Sequence, residues 1–185
     1  MDNAHEFKAI DGITQRYEKE CKEIPVDKPE DLLRVGILGE FYVTIEPFSN
    51  FFIEKELGKR GVEVHRFVCL TNELEKSVFK RKIIKKYLKL ASPYLKHHIG
   101  AHATETVGLA VDLIKKDFDG LIHIKPFGCV PEVSSMSILH KISKDFSVPI
   151  IYFSFDAQTS ETGVKTRIEA FYDVLKMKKN KKHGK

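Results

Sequence analysis

Four short apolar runs, separated by helical patterns, constrain this chain more than any other feature. They are LLRVGILGE (32–40), VEVHRFVCL (62–70), LIHI (121–124) and VPIIYFSF (148–155). The second alternates β-branched and polar residues; the others are nearly continuously apolar, as strands covered on both faces must be. Between the runs, apolar residues recur at helical spacing. The stretches concerned are 46–61, 71–96 (Leu74, Val78, Ile83, Ile84, Tyr87, Leu88, Leu90), 103–120 and 131–143, with 164–177 following the last run. Strands alternating with helices close through right-handed crossovers into a parallel sheet. The expectation is an α/β fold: a small open Rossmann-like parallel sheet of about four strands, order 2-1-3-4, with helices on both faces.

An amphipathic stripe of Phe7, Ile10, Ile13, Tyr17 and Cys21 predicts a helix ahead of the sheet, ended by Pro25. On that stripe Cys21 reads as a small core residue. Three segments result: a helix and connector over 1–30, the α/β domain over 31–178, and a basic disordered tail over 179–185. The 185 residues suffice for one core. A net charge of +5 hints at nucleic acid, yet much of the excess sits in KMKKNKKHGK (176–185) without interleaved aromatics, so no nucleic-acid partner is expected. No apolar stretch approaches the roughly 20 residues of a membrane span, and no secretory pattern opens the chain; no membrane association and a cytoplasmic location are expected.

Three cysteines, Cys21, Cys69 and Cys129, form no CxxC pair, which argues against a disulfide framework or a closed zinc site. The loop PFGCVPE (126–132) concentrates the chemistry. Pro131 suits the first turn of a helix and biases Val130 toward an extended backbone. Gly128 permits a sharp turn or close approach to a bulky ligand. Cys129 then lies just before a helix N-terminus, whose partial positive charge favours the thiolate, the form that attacks electrophiles and binds metal. A small residue packed in a tight turn is the other reading. Ligands of parallel sheets bind at the carboxyl ends of the strands. That edge collects Gly39-Glu40, Cys69, Cys129 and, after the fourth strand, Asp156, Thr159, Ser160 and Glu161. GILGE is neither a dinucleotide fingerprint nor part of a phosphate loop. His97, His98 and His102 cluster around Gly100 as an exposed loop, His123 lies inside a strand and His140 on a helix; none forms a triad. A nucleophilic-cysteine enzyme therefore has a thiol but no identified base.

The blocks VGILGEFYVTIEPFSNFFIEKELGKRGVEV, ASPYLKHHIGAHATETVGLAVDLIKKDFDG, FDGLIHIKPFGCVPEVSSMSILHKIS and VPIIYFSFDAQTSETGVKTRIEAF resemble consecutive segments of the 2-hydroxyacyl-CoA dehydratase D-component group. The likeness is greatest to the domain accompanying acyl-CoA dehydratase activases, and it covers roughly residues 20–175. Its motifs run in order: PFGC-P-E, D-x-x-T-x-E-x-G, T-R-x-E-A-F. The resemblance implies a Rossmann-like lobe and a [4Fe–4S] cluster held by cysteine thiolates. In that group electrons come from an ATP-dependent activase, and a ketyl-radical route removes water from a 2-hydroxyacyl-CoA. It makes Cys129 the cluster ligand and Cys69 a weaker second metal candidate. Glu40, Asn50, Glu132, Asp156, Thr159 and Glu161 become cofactor-binding candidates. This sequence departs from the group in one respect. Family members carry a further cysteine-bearing lobe, and four thiolates commonly hold a cuboidal cluster. A second cysteine-bearing subunit or a homodimer is therefore expected to complete the site, with a non-catalytic binding or assembly module as the alternative.

Overall fold

A computed structural model describes residues 7–27, 29, 31–69 and 81–183. The chain falls into two units, Met1–Asp31 and Leu32–Lys185. In the first, α1 (Phe7–Glu23) carries the i,i+4 ion pairs Arg16–Glu20 and Lys19–Glu23. Cys21 is exposed, along with Ile10 and Tyr17, so it is not the core residue its spacing suggests. Leu74 and Val78 of the stretch over 71–96 lie outside the described residues.

The second unit is a four-stranded parallel sheet in the order β2-β1-β3-β4, formed by β1 (Arg34–Gly39), β2 (Glu63–Arg66), β3 (Gly120–Pro126) and β4 (Ile150–Phe155). It is the small Rossmann-like α/β fold expected from the alternation of strands and helices. The period of two sorts the side chains to opposite faces. Val35, Ile37, Ile122, Ile124, Phe153 and Phe155 join one core, covered by α2 (Phe41–Ile45), α3 (Ile53–Gly58) and α7 (Glu161–His183). Leu38 and Leu121 join the other, beneath α4 (Arg81–Ala91), α5 (Ala103–Lys115) and α6 (Val130–Phe146).

Two glycines mark where backbones approach too closely for a side chain. Gly39 has φ +129°, and a Cβ there would lie 2.0 Å from the Ile124 carbonyl oxygen. A Cβ on Gly108 would lie 2.2 Å from the Tyr87 carbonyl oxygen, so this glycine sets the contact between α4 and α5.

Of the segment expected as one helix over 46–61, only α3 (Ile53–Gly58) is helical; residues 46–52 form turns that join it to the short α2, which the sequence pattern did not indicate. Phe51 and Phe52 there adopt left-handed backbone angles (φ 54° and 55°), which no continuous helix accommodates. The C-terminal helix runs on to His183, into the stretch expected as a disordered tail, of which 184–185 lie outside the described residues. Within it the Lys179 ammonium donates to the Leu32 carbonyl at 2.5 Å and sits 3.7 Å from Asp119. No described helix is long and apolar enough to cross a membrane.

Candidate functional site

At the carboxyl end of β3 the chain turns sharply into α6. Phe127 N–H donates to the Phe155 carbonyl, extending the β3–β4 pairing by one step, and Cys129 N–H donates to Pro126 O at 3.2 Å to close the turn. Cys129 is extended (φ −76°, ψ 92°) and occupies the N-cap; its carbonyl accepts from Val133 N–H at 2.9 Å, the first bond of the helix. The helix thus begins at Val130, one residue before Pro131. Because proline has no N–H, it loses nothing in this first turn. The thiol makes no capping hydrogen bond and is partly exposed. It is not sealed in the core. Phe127, Val130 and Val133 around it are exposed, at 70%, 73% and 49%.

Behind the cysteine lies a polar cluster that is out of reach of solvent. Glu132 is 2% exposed, and its carboxylate accepts from Thr106 Oγ1 (3.0 Å to Oε1) and Ser135 Oγ (3.0 Å to Oε2), with His123 Nε2 2.7 Å from Oε2. Ser135 also donates to the Glu132 carbonyl at 2.8 Å. Thr106 comes from α5, His123 from β3, and Glu132 and Ser135 from α6, so the carboxylate ties the first turn of α6 to both neighbours. These groups cannot be a serine–histidine–acid triad. Serine and acid share the same ring nitrogen, Nδ1 has no partner among the described residues, and the group is buried. Glu132, expected as a cofactor contact, faces inward because Glu132, Ser135, Leu139 and Ile142 form the buried stripe of α6. That i, i+3, i+7, i+10 spacing is the sequence signal that identifies it. His123 alternates with Leu121 on the same sheet face, beside Tyr152 at a ring separation of 5.7 Å. Burial pushes the Tyr152 phenol up to about 12, and its hydroxyl has no partner among the described residues.

The other expected contacts are occupied by local structure. Glu40 caps α2, accepting from Tyr42 N–H at 3.0 Å and Val43 N–H at 2.9 Å. Asn50, 5% exposed, donates to Val43 O at 2.8 Å and accepts from Ile53 N–H at 3.3 Å, holding α2 to the start of α3. Asp156 and Thr159 close a turn on each other: the Thr159 hydroxyl donates to Asp156 Oδ1 at 2.9 Å and accepts from Asp156 N–H at 2.9 Å. Glu161 pairs with Lys165 at 2.6 Å on the first turn of α7. A cleft of about 160 Å³ opens beside Thr44, Asn50 and Phe52; of its charged lining residues, Glu54, Lys55 and Arg66, the first and last are paired with each other at 2.7 Å.

Cys69 lies three residues beyond β2, and Cys129 three beyond β3, with β1 between. That is two strand spacings, roughly 10 Å across the sheet. Among the described residues no group of three or more His, Cys, Asp or Glu side chains is placed to hold a metal ion. A four-thiolate cluster therefore does not fit within the described part of this chain alone. No family model, curated protein or solved structure matches the chain.

Proposed function

We propose that this protein is a redox component of a 2-hydroxyacyl-CoA dehydratase-like system. It contributes Cys129 as one thiolate ligand to a [4Fe–4S] cluster completed by a partner chain, and it works with an ATP-dependent activase. The completing partner is a second cysteine-bearing subunit or a second copy. The observation that carries this reading is the partly exposed Cys129 thiol, which makes no capping hydrogen bond among the described residues, at the N-terminus of α6 on the carboxyl edge. The role of this chain's own residues follows from their positions. The Pro126–Cys129 turn fixes the direction of the thiol, and the Glu132 cluster anchors the helix that bears it.

Anaerobic co-purification with a cysteine-rich partner, followed by iron and sulfide analysis, tests the proposal. Iron and sulfide should accompany the complex and fall in Cys129→Ser while the complex persists. A complex free of iron, or one whose iron content ignores Cys129→Ser, would sink it. A second reading, a docking module without chemistry of its own, draws on the exposed Phe127, Val130 and Val133 around the thiol. It requires that Cys129→Ser leave both partner binding and partner activity intact.

A further inference from the structure

Immediately before the Pro126–Cys129 turn, β3 buries a lysine. Lys125 is 3% exposed, and among the described residues its ammonium donates only to the carbonyls of Phe127 at 3.2 Å and Pro126 at 3.4 Å. An ammonium has three N–H donors, so one is left over, and neither acceptor carries a formal charge. Among the described residues no carboxylate pairs with it. The carboxylates along this edge are committed elsewhere: Glu132 to Thr106, His123 and Ser135, Glu40 to the start of α2, Asp156 to its own turn and Glu161 to Lys165. Burying a cation without a counter-charge is costly unless an anion compensates it.

The start of α6 presents the complementary chemistry. This 17-residue helix has no side-chain cap from Cys129, and its leading N–H groups, those of Val130 and Glu132, precede the first intrahelical bond, which Val133 makes. Such a terminus favours an oxyanion. We propose that Lys125 and the first turn of α6 form a binding site for a small organic oxyanion, a carboxylate or a phosphate group. The exposed side chains of Phe127 and Val130 flank the apolar part of the ligand. Charge-assisted hydrogen bonds from an ammonium and from helix N–H groups are the interactions that would hold it. The site stands independently of the cluster proposal, since it needs neither iron nor the Cys129 sulfur.

Amide-shift titration of the iron-free full chain tests it, with inorganic phosphate in one arm and propionate in the other, against chloride at matched ionic strength. One arm should give saturable shifts over 125–132 with millimolar or tighter affinity. Lys125→Met should weaken binding at least about tenfold, while Lys125→Arg stays within about threefold. The arm that saturates identifies the group. Shifts that fail to saturate by about 50 mM, shifts confined to the α7 N-terminus at Glu161, or wild-type affinity in Lys125→Met would overturn the site. If Lys125→Met does not fold, the wild-type map and the Lys125→Arg affinity decide the question.

Discussion

Replacing Glu132 by leucine should be among the most damaging single changes in this fold. The carboxylate is 2% exposed and receives hydrogen bonds from Thr106 and Ser135, with His123 Nε2 2.7 Å away. Leucine fills a similar volume but accepts nothing. Ser135 keeps its 2.8 Å bond to the carbonyl at 132 and adds little to the loss. Thr106 and the fully buried His123 are left without their acceptor, and each buried group left unsatisfied costs about 1–3 kcal/mol, about 2–6 kcal/mol for the two. For a chain of this size, with about 2–4 °C lost per kcal/mol, the midpoint should fall by about 4–24 °C. Urea unfolding followed by circular dichroism measures this directly. The double variant Glu132→Leu/His123→Phe supplies the sharper check, since removing both partners leaves much less unsatisfied. It should be clearly more stable than the sum of the two single losses predicts. A Glu132→Leu loss below about 1 kcal/mol, or strictly additive singles, would refute the claim that this carboxylate anchors α6.

Tyr152→Phe removes a buried hydroxyl that has no partner among the described residues and should leave stability unchanged or raised by about 1 kcal/mol in the same unfolding assay. Because burial lifts the Tyr152 pKa to about 12, the unfolded chain releases this proton first. Wild-type stability should therefore decline above about pH 10, and less so in the variant. Burial alone would raise the Asp112 pKa, but the ammonium groups of Lys86 (2.7 Å) and Lys116 (2.9 Å) outweigh it and hold the carboxyl below the ordinary carboxylate range. Its contribution is present above about pH 4 and is lost as pH falls through the depressed folded value, so Asp112→Asn should lower neutral stability and flatten the acid limb of a stability–pH curve. Gly108→Ala improves helix propensity yet drives a methyl into the Tyr87 carbonyl, and a net loss of about 1–3 kcal/mol is expected by thermal or urea unfolding.

Sequence pattern alone determined the four parallel strands, their order, the helices on both faces and the turn that puts Cys129 at the mouth of α6. Each of those depends on local signals, such as the apolar runs or the proline that can only sit in a helix's first turn. The turn between α2 and α3 left no comparable mark: the left-handed Phe51 and Phe52 carry no local glycine signal, and the Asn50 bonds to Val43 and Ile53 that tie the two helices together form only in the folded chain. Tertiary structure also decided where each acid of the carboxyl edge turns. Glu40 turned back onto its own helix, Asp156 onto its own loop, and Glu132 inward to partners 9 and 26 residues away in the chain. Local sequence records that a carboxylate is present. Only the packing of β3, α5 and α6 fixes which donors reach it, and that same packing leaves the Lys125 charge without a matching acid.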